Sequence, residues 1–248
     1  MDIWKFYDVT HRFHTICNPL SPEKIGRLVD LLRLDKDSEI LDIAMGKGEF
    51  LFRTVEKYGC RGVGVDLSPF YIEETRRRAE RSTSGDRVKL LEMDGADYKP
   101  DPERVFDVTV CLGASWIYGG YRGTLKFLKN LTKNEGYIAV GEPYWKEDPP
   151  QEYCEAVEVK KEDFLSHEGN LFFAEKMGLR LAHILTSSED DWNIYEGLTW
   201  YAADKHRKEH PDDPDLTEIL EKLDREKKAY IQHGRSVLGW AVYLFRNV

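Results

Sequence analysis

The sequence has few cysteines, no long apolar run and no excess of basic residues. Cys17, Cys60, Cys111 and Cys154 lie far apart without a C-x-x-C pair, which argues against both a disulfide framework and a zinc site. No stretch approaches the roughly 20 apolar residues that a membrane span requires, and the first residues carry no apolar signal segment. We therefore expect a soluble, cytoplasmic protein without a metal site and without a membrane partner.

The charge balance is acidic. The chain has 36 Lys and Arg against 45 Asp and Glu, a formal net charge of -9. Nucleic acids and anionic membranes are bound through clustered basic residues, so we expect a small-molecule partner and no nucleic acid. A length of 248 residues with 41% hydrophobic residues suits one α/β domain with an elaboration.

Helix-like and strand-like patterns alternate between about residues 20 and 142. This alternation predicts a parallel sheet with helices on both faces. Pro22 lies just inside the first predicted helix, and Ser68 is expected to cap a later one. The predicted strands cover residues 39–43, 62–65, 88–93, 105–112 and 137–140.

The first strand runs into a glycine-containing loop that indicates a ligand. Glycines such as Gly46 and Gly48 let backbone N–H groups approach a molecule above the sheet. A phosphate-binding P-loop needs Ser or Thr after Gly-Lys, but Lys47 is followed by Gly48, which excludes it. A nicotinamide-dinucleotide loop needs glycine where Leu51 stands, which disfavours a nicotinamide-dependent oxidoreductase.

The second strand ends in an acidic side chain. Asp66 stands 18 residues after Gly48, where a carboxylate of a doubly wound fold can accept hydrogen bonds from both hydroxyls of a ribose. The alternative is that Asp66 merely caps the following helix together with Ser68. The position therefore predicts a ribose-binding carboxylate without excluding a structural one.

The spacing Asp42-x-Ala44-x-Gly46-x-Gly48 resembles the first motif of the class I S-adenosylmethionine-dependent methyltransferases, with Ala44 in place of the first glycine. The extra methyl of Ala44 fits if φ there is negative. The resemblance implies S-adenosylmethionine as cofactor and S-adenosylhomocysteine as product. It also implies that Asp94 binds the adenine amino group beside small neighbours, although a simple Asp-Gly turn is the alternative. The residues assigned to the cofactor are Asp42, Ala44, Gly46, Gly48, Asp66, Leu67, Asp94, Gly95, Ala96, Leu112 and Gly113.

Small residues end the fourth strand, and aromatic residues follow them. Small residues followed by aromatic ones are typical of a pocket whose base is small and whose sides are aromatic, and a sulfonium group would lie in such a pocket. The faces of Trp116 and Tyr118 can attract that cation, or both rings can simply belong to the core.

Further motifs resemble a small-molecule branch of the family and extend over nearly the whole chain. They lie at residues 11–14, 18–19, 113–116, 141–145, 191–196 and 239–240. The resemblance implies an α/β, Rossmann-like doubly wound sheet of seven strands in the order 3-2-1-4-5-7-6, with strand 6 at 180–186 and an antiparallel strand 7 at 238–245.

We expect one methyltransferase domain over residues 1–248. Its segments are an N-terminal helical cover (1–36), the cofactor-binding core (37–142), a link with strand 6 (143–189), a helical insert or lid (190–236) and strand 7 (237–248). The insert carries an aromatic stripe at near-helical spacing, which is expected to close the acceptor pocket as a lid or to pack in the core. The N-terminal segment is expected to close the same cavity from the other side with Trp4, Phe6, Tyr7, His11 and His14. The acceptor pocket is assigned to Trp116, Tyr118, Tyr144, Trp145, Trp192 and Tyr195.

The predicted reaction is transfer of a methyl group to an O, N or S atom of a small molecule by in-line displacement. Alignment of the two reactants and exclusion of water supply much of the rate, so no fixed catalytic residue is required. Where a proton must leave the acceptor, Glu142 and His14 are the expected bases, although each also has a structural interpretation. The alternatives are a non-catalytic S-adenosylmethionine-binding protein, a nicotinamide-dependent oxidoreductase and an RNA methyltransferase.

Overall fold

A seven-stranded sheet forms the centre of the computed structural model, which describes residues 1–100 and 104–248. The order is β3-β2-β1-β4-β5-β7-β6, with β7 antiparallel to both neighbours and the other pairs parallel. The predicted Rossmann-like class and strand order are confirmed. The strands are β1 (Glu39–Ile43), β2 (Arg61–Asp66), β3 (Val88–Glu92), β4 (Phe106–Leu112), β5 (Thr132–Trp145), β6 (Leu179–Thr186) and β7 (Leu238–Asn247).

The helices of the described residues flank this sheet and cover one of its edges. Several begin at the residues that the sequence indicates: Ser21 and Ser68 accept hydrogen bonds from backbone N–H groups at the starts of α2 and α4. The α-helices are α1 (Ile3–Thr10), α2 (Pro22–Leu31), α3 (Glu49–Tyr58), α4 (Pro69–Arg81), α5 (Tyr121–Leu131), α6 (Gln151–Ala156), α7 (His167–Lys176), α8 (Glu189–Glu209), α9 (Leu216–Ala229) and α10 (Arg235–Val237). None of the helices in the described parts of the chain is both long and apolar enough to cross a bilayer.

Both faces of the sheet are buried. Successive side chains of a strand point to opposite faces, and on β1 Ile40 joins one core while Leu41 and Ile43 join the other. Leu51 of α3 packs in the first core and Leu125 of α5 in the second. This double burial explains why the central strands are nearly continuous apolar runs in the sequence.

Strand β5 differs most from the prediction. It covers Thr132–Trp145 rather than 137–140, and it contains Glu135 at a φ of +59°. The polar residues 133–136 resemble a turn in the sequence, and in the structure they form an irregularity within β5: Thr132 pairs with Phe106 of β4, and pairing with β4 and β7 continues from Tyr137. Helices α6 and α7 also lie in the region predicted only as a link.

The insert forms two helices, α8 and α9, that pack against α1. Phe6 and Val9 of α1 are buried against Ala203 of α8 and against Ile219 and Leu223 of α9. This third core joins the first helix of the chain to the segment between β6 and β7. The proposed division of the chain into segments stays a prediction.

Candidate functional site

The loop after β1 has three residues in the left-handed region of φ. They are Ala44 at +54°, Gly46 at +57° and Gly48 at +70°. The condition under which Ala44 was expected to fit, a negative φ, is therefore not met, since this alanine adopts a conformation that side chains disfavour. Gly48 packs inward, where an added Cβ would lie 3.0 Å from the Phe52 ring. The loop thus turns tightly enough to bring its backbone to the edge of the sheet.

Asp66, at the end of β2, holds that loop in place. One carboxylate oxygen accepts from Gly46 N at 2.8 Å, and the other accepts from Ser68 N at 2.9 Å. Each oxygen retains a lone pair for a further donor. Burial raises the pKa of Asp66 to about 6, and burial beside Asp66 raises the pKa of Asp42 well above its usual range. The side chain therefore has the predicted structural role and capacity for a ligand as well.

A cavity of about 640 Å³ lies at the carboxyl ends of β1, β2 and β4. This is where ligands bind in open α/β sheets. Its wall brings together most of the residues assigned from the sequence, and their predicted roles stay predictions. These residues are Asp42, Ala44, Gly46, Asp66, Leu67, Asp94, Gly95, Ala96, Leu112, Gly113, Trp116, Trp192 and Tyr195.

One end of the cavity is open and suits a flat ring. Asp94 accepts from Ala96 N at 2.8 Å through one oxygen, which leaves the second oxygen for another donor. Gly95 is buried, and a Cβ added there would lie 2.9 Å from Ile43 Cγ2, so a larger residue would not fit. Trp116 is 71% exposed at this end. A carboxylate oxygen therefore lies beside small residues at the open end, with space for a flat ring.

The other end is enclosed and largely aromatic. Trp4, Tyr7 and His11 come from α1 and the residue after it, Asn18 from the following loop, and Trp240 from β7. None of them belongs to the site assigned from the sequence, although most lie in or near the branch motifs. The N-terminal segment was expected to close this cavity, and Trp4, Tyr7 and His11 do line it. No local pattern assigned Asn18 or Trp240 to the wall.

Three aromatic residues assigned to the acceptor pocket lie outside the cavity wall. Tyr118 stacks on Phe127 with ring centroids 4.1 Å apart and donates to Gly95 O. Tyr144 packs against the backbone of β7, while Trp145 packs beside Tyr153 in a separate cluster. Tyr118 therefore packs behind Gly95 and does not line the cavity.

The two residues expected to act as bases, Glu142 and His14, also do not line the cavity. Glu142 is 1% exposed and accepts from Ser115 Oγ at 2.9 Å, and burial raises its pKa to about 8. His14 contacts the carbonyl oxygen of Tyr195 through Nε2 at 2.9 Å. Since a carbonyl only accepts, this nitrogen carries hydrogen and fixes α8 to the N-terminal segment. A catalytic role for either residue stays a prediction without geometric support.

Comparisons with known proteins agree with this geometry. A family model described as a methyltransferase domain matches residues 40–136. The chain is 31% identical over 245 residues to the uncharacterized protein YjhP of Escherichia coli strain K12, covering 98% of both chains. Two matches cover 48% of this chain: aklanonic acid methyltransferase DauC of Streptomyces sp. strain C5, at 32% identity over 54% of that protein, and erythromycin 3''-O-methyltransferase of Saccharopolyspora erythraea, at 28% over 39%.

Two similar solved structures carry a bound ligand. The S-adenosylmethionine-dependent methyltransferase from Geobacter sulfurreducens, in complex with S-adenosyl-L-homocysteine, matches with a TM-score of 0.90 and 31% identity over 97% of each chain. Its counterpart from Thiobacillus denitrificans, also in complex with S-adenosyl-L-homocysteine, matches with a TM-score of 0.89 and 33% identity over 99% of each chain. The similarity extends over the whole fold and is not limited to the glycine loop.

Proposed function

Because the chain belongs to the S-adenosylmethionine-dependent methyltransferases, we propose that it transfers a methyl group from S-adenosylmethionine to a small molecule held at the enclosed end of the cavity. The acceptor atom is oxygen, nitrogen or sulfur, and the transfer is an in-line displacement. We infer that the acceptor is small from one observation: residues of α1 and α8 enclose that end of the cavity. Two partial relatives named for small-molecule methylation, of aklanonic acid and of erythromycin, support the same conclusion.

The residues at the strand ends would hold the methyl donor. Asp66 offers a free lone pair on each oxygen to the ribose hydroxyls, and Asp94 offers its second oxygen to the adenine amino group. The backbone at Gly46 faces the remaining, methionine part of the donor. The bound donor supplies an activated methyl group, so the protein's task is to align an acceptor with it and to exclude water.

Equilibrium binding tests the first step. Calorimetry should detect binding of both S-adenosylmethionine and S-adenosylhomocysteine, and Asp66→Ala should weaken both at least tenfold because two charge-assisted hydrogen bonds are lost. Asp86→Ala is a matched control, since Asp86 is exposed and directly precedes β3. It therefore lies at the amino ends of the strands, whereas the cavity lies at their carboxyl ends. Absence of binding of either compound at millimolar concentration would refute the proposed function.

Transfer itself is tested with radiolabelled S-adenosylmethionine and a panel of small alcohols, phenols, amines and thiols. Label in at least one acceptor is the expected result. Binding of the donor without transfer to any acceptor in the panel would instead favour the non-catalytic alternative.

A further inference from the structure

The hydroxyl group of Tyr195 is held at the enclosed end of the cavity by a residue from a distant part of the chain. His11 follows α1 and Tyr195 lies on α8, and 2.8 Å separates His11 Nε2 from Tyr195 Oη. Both side chains line the cavity. His14 Nε2 lies 2.9 Å from Tyr195 O. The side chain and the backbone of Tyr195 are therefore both fixed to the N-terminal segment.

The direction of these hydrogen bonds follows from a carbonyl group at the far end of the network. Thr10 Oγ1 lies 2.8 Å from Phe6 O, and because a carbonyl only accepts, Thr10 donates its one hydrogen there. Thr10 Oγ1 then accepts at its 2.9 Å contact with His11 Nδ1, which assigns the imidazole hydrogen to Nδ1. His11 Nε2 keeps its lone pair and accepts from the Tyr195 hydroxyl. With its hydrogen used in this way, the Tyr195 oxygen can only accept from a bound molecule.

The titratable side chains around this oxygen do not take up a proton at neutral pH. Burial is the main reason that the pKa of His11 is lowered to about 3. Burial also raises the pKa of the Cys17 thiol to about 11 and the pKa of Tyr195 well above its usual range, so both groups stay protonated. Among the described residues of the wall, Lys47 forms an ion pair with Glu74 at 3.0 Å. An acceptor held here must therefore attack without giving a proton to the protein.

The carboxylates of the described wall have other partners. Asp66 and Asp94 are the residues proposed to hold the methyl donor at the strand ends. Glu49 forms ion pairs with two arginines, at 2.5 and 2.6 Å. Neither pair of contacts leaves a base beside the Tyr195 hydroxyl.

We propose that the acceptor is an uncharged, largely apolar amine with at least one N–H group, and that Tyr195 Oη accepts a hydrogen bond from this group. The proposal rests on the methyl transfer proposed above. An amine attacks through its lone pair and keeps its hydrogen, whereas a hydroxyl or thiol group becomes a good nucleophile only after losing its hydrogen. A phenolate or thiolate would have no hydrogen to donate to Tyr195.

The step balances in atoms and charge. The lone pair of the nitrogen forms the bond to the methyl carbon while the S–CH3 bond breaks and leaves its electron pair on sulfur. One positive charge passes from sulfur to nitrogen, so the net charge of the enclosed space does not change. The methylated ammonium product loses its proton to water after it leaves the cavity.

Two features of the wall stabilise the positive charge as it forms on nitrogen. The hydrogen bond from the N–H group to Tyr195 strengthens as the nitrogen becomes cationic. Trp4, Trp192 and Trp240 line the cavity, and aromatic faces attract a cation. The rings of Trp192 and Tyr195 are nearly perpendicular, at 86° with 6.3 Å between centroids, so aromatic surfaces differ in direction there. Both interactions are stronger in the transition state than with the neutral amine, so they raise kcat more than affinity.

Three bicyclic probes of similar size test the proposal with radiolabelled S-adenosylmethionine at neutral pH. Indoline is an amine with one N–H group that is uncharged at this pH, N-methylindoline has no N–H group, and 5-hydroxyindane is a phenol. Label should appear in indoline, with kcat/KM about a hundredfold or more above that for 5-hydroxyindane, because the phenol finds no base. N-methylindoline should react about tenfold or more slowly than indoline, because it cannot donate to Tyr195.

Tyr195→Phe separates this role from a structural one, because it keeps the ring and removes the oxygen. It should lower kcat for indoline about tenfold with little change in KM, and it should leave the rate with N-methylindoline unchanged. Damage to the fold of the cavity would lower both rates alike. Tyr201→Phe is a matched control, since Tyr201 lies on the same helix and is exposed, and it should change neither rate.

Binding of S-adenosylhomocysteine is measured by calorimetry for every variant. Failure of the wild type to bind it refutes the proposed function itself, whereas the following results concern only the acceptor. With the donor site intact, no label in indoline, faster labelling of 5-hydroxyindane than of indoline, or an equal loss for indoline and N-methylindoline in Tyr195→Phe would each overturn the amine proposal.

Discussion

Ala44 has a backbone conformation that glycine adopts at lower cost. Its φ of +54° puts it in the left-handed region, where an L-residue loses roughly 1–2 kcal/mol. Glycine at that position would recover this energy and lose about 0.5–1 kcal/mol through the greater freedom of the unfolded chain. The usual glycine of the family motif is therefore explained by the geometry of the loop, and this chain is strained there.

Ala44→Gly is expected to raise the free energy of unfolding by roughly 0.5–1 kcal/mol, measured by urea denaturation. Gly46→Ala is the converse test, because Gly46 has a φ of +57° and a Cβ there would meet Cys17 Sγ at an ordinary 3.6 Å. Its cost should be roughly 1 kcal/mol or more of backbone strain alone. Destabilisation by Ala44→Gly would contradict this account of the loop.

If Asp66 contacts the ribose as proposed, its burial should make cofactor binding dependent on pH. An ionised carboxylate accepts stronger hydrogen bonds from ribose hydroxyls than a protonated carboxyl does, and burial raises the pKa of Asp66 to about 6 from an ordinary value of 3.8. Between these values the folded protein binds a proton that the unfolded chain does not. This carboxyl's contribution to stability is therefore largest at low pH and falls as the pH rises through that window.

Affinity for S-adenosylhomocysteine should move in the opposite direction. It is expected to fall, by at most tenfold per pH unit, as the pH drops below about 6, and to level off above it. Calorimetry at successive pH values measures this. Asp66→Asn cannot titrate and should show a flatter profile, with any remaining slope arising from the neighbouring Asp42. An unchanged profile in Asp66→Asn would exclude Asp66 as the titrating group.

The residues that the sequence could identify are those whose role follows from local position. Asp66 and Asp94 follow strands, and parallel strands end at one edge, so their approach to a common cavity was predictable. Tyr144 was not predictable in the same way. Neighbouring side chains on a strand point to opposite faces, and a one-residue difference on β5 separates it from Pro143, which lines the cavity.

At the scale of an element, the start of α8 determines how the insert meets the core. Ser188 caps the helix by accepting from Asp191 N at 3.2 Å, and Asp191 accepts from Ser188 N at 2.7 Å. Lys24 of α2 forms an ion pair with the same carboxylate. These contacts fix the first turn of the helix that carries Trp192 and Tyr195 to the cavity.

Ser188→Ala should lower the free energy of unfolding by about 1 kcal/mol. Because the loss falls on the first turn of α8, limited proteolysis should also cut more rapidly near residue 187 than in the wild type. Ser84→Ala is a suitable control, since Ser84 precedes a short turn without a side-chain capping bond. Equal sensitivity of the two variants would mean that the cap does not hold the insert.

The bounds of helices and strands were predicted well where hydrophobic periodicity and capping residues indicate the same limits. They were predicted poorly where pairing with other strands determines the limits. Ser68 and α4 follow their local signals. The beginning of β5 does not, because its polar residues 133–136 form an irregularity between Thr132, which pairs with β4, and Tyr137, from which the strand pairs with both neighbours. The length of a strand is set by its partners as much as by its own composition.

At the scale of the whole molecule, alternation of strands and helices was sufficient for the parallel half of the sheet. The last two strands were predicted only through resemblance to a family, since periodicity alone does not state that β7 enters between β5 and β6. The sequence led us to expect that the N-terminal segment and the insert close one cavity, but it did not predict which of their residues meet. His11 and Tyr195 are 184 residues apart, and only the folded chain brings them to one wall.

The position of β7 has a consequence for how the chain is made. Within the described residues β6 pairs only with β7, and β7 is the element that covers the outer edge of β5. During synthesis, β5 therefore leaves the ribosome about 90 residues before its partner, and the nine residues Tyr137–Trp145, which later pair with β7, form an unpaired edge. Long unpaired edges promote aggregation, so the nascent chain is vulnerable throughout the translation of the intervening segment and becomes safe when residues 238–247 are inserted.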